Sequence, residues 1–135
     1  MTCIKNYTPL AVLLMSSFFS ASVSHAQTTF SGNDLKDVCT SDEAVKFGMC
    51  LGYFVGYNEG RNWGSFIVLK RTLEEGPAEE LNELGNALMG HCVPAEVEYE
   101  QLIDVFLNYV DTHPETRHES ARTLIWNSYV QAFPC

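Results

Sequence analysis

Apolar residues recur at intervals of three and four along most of this chain. Strand-like alternation of apolar and polar positions is absent after residue 26. Intervals of three and four place side chains on one face of an α-helix. The pattern therefore predicts an all-α fold, a small bundle of about four to five helices.

Capping and breaking residues set the expected helix limits. Ser31 can cap a short first helix over 33–39, and Ser41 or Asp42 can cap a second that runs toward Trp63, followed by an apolar segment at 66–69. Pro77 and Gly90 bracket a third helix, and Pro114 separates the last two. These last two helices are expected at about 97–111 and 115–132.

The first apolar run has a different character. Lys5 precedes an apolar stretch at 10–19, and small residues lead to Ala26. This order is typical of a secretory signal peptide, and the run is too short to span a bilayer. We therefore expect cleavage after Ala26, which leaves one exported domain, 27–135, with no membrane anchor.

Cleavage would leave four cysteines, an even number that predicts two disulfides in an oxidising compartment. The last two helices should form an antiparallel hairpin, which brings Cys92 close to Cys135 and pairs Cys39 with Cys50 by elimination. A zinc site built from Cys39, Cys50, His91 and Cys92 is the rival interpretation. Its spacings match no usual zinc motif, so no metal or other cofactor is expected.

The charge balance bears on the kind of partner. Eight Lys and Arg stand against 17 Asp and Glu, a net charge of −9, which becomes −10 after cleavage at Ala26. Such a balance argues against nucleic acid and suits a basic protein. No catalytic motif is present, and neither His91, His113 nor His118 is marked as a catalytic base, so we expect no enzyme.

A glycine stripe marks the second predicted helix. Glycine recurs at every fourth position, at Gly48, Gly52, Gly56, Gly60 and Gly64. Five glycines inside a helix cost roughly 3 to 5 kcal/mol relative to alanine, so a closely packed neighbour should offset them. That neighbour is either the fifth helix of the same chain or a second copy in a symmetric dimer. Alternatively, the helix ends near Asn58 and the later glycines lie in a loop.

Three segments resemble a known family in order along the chain. The sequence CLGYFVGYN at 50–58, Cys92-Val93-Pro94 with Gln101-Leu102, and the terminal Ala132-Phe133-Pro134-Cys135 resemble segments of the Tai family of type VI secretion amidase immunity proteins. Asn58 stands where that family usually has Asp, and the stretch between Tyr57 and Cys92 is long.

The resemblance implies a periplasmic helical protein, often dimeric, that neutralises a peptidoglycan amidase by covering its active-site groove. We expect the toxin to contact a turn and its flanks on the second helix, with a second candidate patch downstream. The residues are Asn58, Glu59, Arg61, Asn62 and Trp63, then Glu74 and Glu75. Trp63 could instead pack in the core and Arg61 only solubilise a helix end. The alternative function is a periplasmic acid or stress-response chaperone or another protein-binding module.

Overall fold

The computed structural model describes residues 29–73 and 77–135, so the predicted signal peptide at 1–26 and the candidate residues Glu74 and Glu75 lie outside the described residues. Five α-helices are present: α1 Gly32–Cys39, α2 Ala44–Thr72, α3 Ala78–Met89, α4 Tyr99–Thr112 and α5 Ala121–Ala132. No strand occurs among the described residues apart from one isolated bridge between Ser31 and Ser120. The predicted all-α class is confirmed.

The start of α1 is the predicted one. The Ser31 hydroxyl accepts from the Asp34 amide, and the Asp34 carboxylate accepts from the Ser31 amide, which completes a capping box. Gly32 then donates to the carbonyl of Glu119, and Asn33 donates to that of Arg117. The first helix is thereby tied to the chain just before α5.

The second helix is longer than predicted. It runs without a break for 29 residues, about 43 Å, and absorbs the segment at 66–69. Neither Ser41 nor Asp42 caps it; Glu43 occupies the cap position and makes no side-chain cap bond. The alternative in which α2 ends near Asn58 is wrong, because Gly60 and Gly64 lie inside the helix.

The last helix begins later than predicted. A single 3-10 turn, Pro114–Thr116, follows α4, and α5 begins only at Ala121. The backbone between them hydrogen-bonds to α1 instead of continuing a helix, since the carbonyls of Arg117 and Glu119 accept from the amides of Asn33 and Gly32. The Arg117 side chain bonds the Val110 carbonyl and the Asp111 carboxylate, which holds the turn against the end of α4.

The core is formed by α1, the first half of α2, α4 and α5. Leu35, Phe54, Phe106 and Leu124 are fully buried at its centre, one from each helix. The rings of Phe54 and Phe106 pack edge to face with centroids 5.7 Å apart. The second half of α2 extends beyond this cluster and carries α3, which packs chiefly on it.

Both predicted disulfides are confirmed. Cys39 pairs with Cys50 and joins α1 to α2, and Cys92 pairs with Cys135 and joins the segment after α3 to the end of the chain. The Trp126 indole N–H also donates to the Met89 carbonyl at 2.9 Å. These links fix the end of α3 against the core. Over 29–73 and 77–135, no helix combines the length and apolar content needed to cross a membrane.

Candidate protein-binding surface

Arg61 lies on the inner side of α2, at the point where the helix leaves the core. Its Nη1 is 2.9 Å from both ring nitrogens of His91, so whichever nitrogen lacks a proton can accept from it. Its Nη2 donates to the Asn62 side-chain oxygen, also at 2.9 Å. The guanidinium is therefore held between a buried imidazole and an exposed amide.

His91 and Tyr129 form the floor beneath Arg61. Both side chains are fully buried, and their rings meet edge to face at 5.4 Å. The Asn58 amide nitrogen donates to the Phe54 carbonyl at 2.8 Å and to the Tyr129 hydroxyl at 3.3 Å. Asn58 is thus part of the core packing between α2 and α5.

Burial controls the protonation of this cluster. Desolvation, together with the positive charge of Arg61, lowers the pKa of His91 to about 4, so its imidazole is neutral at pH 7. Desolvation also raises the pKa of Tyr129 to about 12 and lowers that of Arg61 from its usual value. The only charge in the cluster at neutral pH is the Arg61 guanidinium.

A cleft of about 310 Å³ opens above Arg61, between the second half of α2 and α3. Its polar lining consists of Asn62, Ser65 and Asn86 beside Arg61. Phe66, Leu81, Gly85 and Val93 complete the wall. The cleft is near the lower limit of the sizes typical of ligand pockets, which suits one side chain better than a large cofactor.

An exposed aromatic group lies beside the cleft. Trp63 is 65% exposed and stacks on Phe66, with ring centroids 5.6 Å apart. Lys70 lies over the Phe66 ring at 5.6 Å, in a cation–π arrangement. A large exposed tryptophan that stacks on a second ring, with a charged residue close by, is typical of a side chain that anchors a protein partner.

The glycine stripe is open. A Cβ added at Gly48, Gly52, Gly56, Gly60 or Gly64 would meet no atom of the described residues within 4 Å. The prediction that α5 fills this groove is therefore wrong: α5 packs on the opposite, inner face of α2, where Tyr129 meets Asn58 and Tyr57. The outer face of α2 also exposes Val45 and Met49.

The structure separates the candidate contact residues into three groups. Asn58 is only 7% exposed and bonded inside the core, so its expected place in a toxin contact is corrected. Glu59, Asn62 and Trp63 are exposed, but on a continuous helix instead of a turn. Arg61 lines the cleft, so the alternative in which it only solubilises a helix end is wrong, as is a core position for Trp63.

Sequence reasoning missed several residues that line the cleft, on both α2 and α3. Ser65 and Phe66 lie one turn beyond Arg61 on the same helix, and the helical interval of four could have indicated Ser65. Gly85 and Asn86 reach the cleft through the antiparallel packing of α3 on α2. No motif in the sequence marks that pairing.

The described residues carry no assembled metal site. No group of three or more His, Cys, Asp and Glu side chains within 29–73 and 77–135 is placed to hold a metal ion. The three cysteines of the rival zinc interpretation, Cys39, Cys50 and Cys92, are all in disulfides. His91 contacts Arg61 and Tyr129 and is flanked by no thiolate.

Comparison with known proteins identifies a family for the chain. No curated protein and no solved structure matches the chain. A family model described as Rap1a immunity proteins matches residues 31–135, which include all five helices and both disulfides. The chain therefore belongs to the Rap1a immunity protein family, an immunity family of the type VI secretion system.

Proposed function

We propose that this protein is a periplasmic immunity protein that inhibits a peptidoglycan amidase delivered by the type VI secretion system. The observation that carries the proposal is the family match over residues 31–135, because an immunity protein acts by binding its cognate toxin. The amidase as target rests on the resemblance of the segments at Cys50, Cys92 and Cys135 to the Tai family. Inhibition would consist of covering the active-site groove, without chemistry of its own.

The proposed location rests on two independent features. Residues 1–26 have the order of a secretory signal, with Lys5 before an apolar run and small residues before Gln27. Cys39, Cys50, Cys92 and Cys135 are all paired, and such pairs persist in oxidising compartments such as the periplasm. A cell-wall amidase acts in the same compartment.

We place the toxin contact on the second half of α2. Trp63 offers a large exposed ring, Phe66 supports it, and Glu59 and Asn62 are exposed on the same helix just before it. The net charge of −9 would attract a basic toxin and speed the encounter. Because these residues belong to one uninterrupted helix, little conformational entropy is lost when the surface is covered.

The test is protection in living cells. We expect the neighbouring gene to encode the toxin. That toxin is directed to the periplasm, and survival is measured with the full chain, with a chain lacking residues 1–26, and with an empty vector. We expect survival only with the full chain. Killing in all three cultures would contradict immunity, whereas equal protection by the chain without residues 1–26 would contradict the periplasmic site of action.

We further propose that two copies pair through the first half of α2. Gly48, Gly52 and Gly56 leave an open groove on a helix face, and Val45 and Met49 lie exposed beside it, at 85% and 52%. An antiparallel crossing at Gly52 would place Gly48 against Gly56 of the other copy. Close backbone packing there would offset the cost of the glycines and leave Trp63 free for the toxin.

Light scattering tests the dimer directly. The wild-type protein should have twice the mass of one chain, and Gly52→Leu, which fills the centre of the groove, should have the mass of a single chain. Gly64→Leu, on the same helix but away from the crossing, is the matched control and should remain dimeric. A monomeric wild-type protein would refute this part of the proposal.

A further inference from the structure

Arg61 differs from the other partly buried Lys and Arg residues that the structure describes, because each of those has a carboxylate partner. Lys36 and Arg117 pair with Asp111, and Lys46 pairs with Asp37 and Glu43. Arg61 is partly buried, yet within 29–73 and 77–135 no carboxylate lies within ion-pair distance of it. A buried cation without an anion is costly to keep.

The donors of Arg61 are only partly used. Nη1 faces His91, a neutral partner that cannot balance the charge, and Nη2 is bonded to the Asn62 amide oxygen. The Nε–H is buried and has no hydrogen-bond partner among the described residues. A guanidinium whose Nε has no partner and whose Nη2 is bonded only to a neutral amide retains the edge that commonly binds a carboxylate through two parallel hydrogen bonds.

Asn62 occupies Nη2 but is not locked in place. Its side chain is exposed, and the bond to Arg61 joins neighbouring residues. Rotation of the amide into solvent would free Nη2 on the side of the cleft. The Asn62 oxygen thus occupies, in the unbound protein, a position that a carboxylate oxygen can take.

We propose that Arg61 receives the carboxylate of an Asp or Glu side chain from the bound toxin, which displaces Asn62. The inference rests on the proposed function and names the chemistry of one contact within it. Ser65 and Asn86 also line the cleft and carry donor groups, and Phe66 offers an apolar wall for the methylene groups. The Ser65 hydroxyl donates to the Asn62 backbone carbonyl in the unbound protein and would turn toward the incoming carboxylate.

The net charge favours a toxin side chain over a free anion. With 17 acidic against eight basic residues, the protein repels small anions from solution. A carboxylate carried on an otherwise basic protein surface is brought to the cleft by the remaining contacts. Trp63 and Phe66 lie close enough to form part of the same interface.

The chemistry can be tested without the toxin. The full chain contains four arginines, so their Nε–H signals can be followed separately by ¹⁵N NMR and assigned with Arg61→Gln. The probe is N-acetyl-L-glutamic acid α-amide, and its neutral analogue is N-acetyl-L-glutamine α-amide. The net charge keeps the affinity for a small free anion low, so the two probes are compared at the same concentration. We expect the acid to shift the Arg61 signal and the amide to leave it unchanged. An equal response to both probes, including no response to either, would overturn the inference.

Asn62→Asp supplies a second, internal test. The new carboxylate would satisfy Arg61 within the chain, so the melting temperature should rise and the probe should no longer shift the Arg61 signal. Asn108→Asp on α4 makes the same change of charge on an exposed site that is not part of the cleft. The inference fails if Asn62→Asp binds the probe as the wild-type protein does.

Binding measurements with the toxin distinguish the carboxylate contact at Arg61 from the immunity function itself. Arg61→Gln should weaken toxin binding about 10-fold or more, whereas Arg122→Gln, at an exposed position on α5, should change it less than about 2-fold. Equal binding by wild type and Arg61→Gln would refute the carboxylate contact and leave the immunity function intact. A wild-type protein that binds no toxin would refute the function itself.

Discussion

His91 is a buried titratable residue whose environment opposes its charged form. It is fully buried, faces the guanidinium of Arg61, and packs against the ring of Tyr129. These neighbours lower the pKa of its imidazole to about 4, against an ordinary value of 6.5. The neutral form belongs to the native state and the protonated form favours unfolding.

This residue predicts a pH dependence of stability. Above pH 6.5 the imidazole is neutral in both states, and between 6.5 and about 4 only the unfolded chain binds the proton. The free energy of unfolding should therefore fall across that window, by on the order of 1 to 3 kcal/mol from His91. An NMR titration should give a midpoint for His91 near 4, and a midpoint near 6.5 would contradict the described environment.

A pair of substitutions separates stability from binding on α2. Asn58→Ala should lower the free energy of unfolding by about 1 to 3 kcal/mol, because it removes the buried bonds to Phe54 and Tyr129. Trp63→Ala should leave stability nearly unchanged, since the ring is 65% exposed, but should weaken toxin binding at least about 10-fold. Chemical denaturation and calorimetry measure the two effects.

Each of these two predictions has an outcome that would contradict it. If Trp63→Ala bound toxin as tightly as the wild-type protein, its exposed ring would have no part in recognition. If Asn58→Ala were as stable as wild type, the contact between α2 and α5 would not depend on that amide. Either outcome is clear because the two positions lie on opposite faces of one helix.

At the scale of elements, the junction of α1 with the turn before α5 depends on one glycine. A Cβ at Gly32 would lie 2.2 Å from Leu124 Cδ1 and 3.0 Å from the Arg117 carbonyl oxygen. Leu124 is fully buried and cannot move freely aside. A side chain at position 32 would therefore push α1 away from α5.

Two alanine substitutions should consequently have opposite signs. Gly32→Ala should destabilise the protein by about 1 to 3 kcal/mol through this overlap. Gly64→Ala, in the open part of α2, should stabilise it by about 0.5 to 1 kcal/mol through helix propensity alone. Thermal denaturation of both variants checks this, and a stabilised Gly32→Ala protein would contradict the packing.

The sequence predicted the helices well where local rules decide. The Ser31 cap, the left-handed Gly90 at the end of α3 and the hairpin that joins Cys92 to Cys135 all follow from short-range patterns. It failed where distant contacts decide. The carbonyls of Arg117 and Glu119 are bound by α1, which delays α5 to Ala121, and no local pattern announces this.

The candidate surface was partly predictable for the same reason. Glu59, Asn62 and Trp63 lie on the surface where the sequence placed them, although α2 continues through them. Asn58 turns inward because its partner, the Tyr129 hydroxyl, is 71 residues away in the sequence. The cleft is made by two helices, so its second wall, with Gly85 and Asn86, required the tertiary structure.

The whole molecule consists of a packed core and a helical hairpin that extends from it. Four helices form the core, and the second half of α2 with α3 extends from it as a hairpin that carries the cleft and Trp63. The Cys92–Cys135 disulfide and the bond from Trp126 to the Met89 carbonyl brace the base of that hairpin. A braced hairpin presents a nearly rigid surface, which limits the entropic cost of binding a toxin.

Inhibition of the purified toxin tests this account most directly. The oxidised chain is added to its purified cognate toxin, and the release of cleaved peptide stems from peptidoglycan is followed. We expect hydrolysis to stop when one chain is present per toxin molecule, and Trp63→Ala to require a large excess. Undiminished hydrolysis at a tenfold excess of the wild-type protein would contradict the claim that this protein inhibits a peptidoglycan amidase.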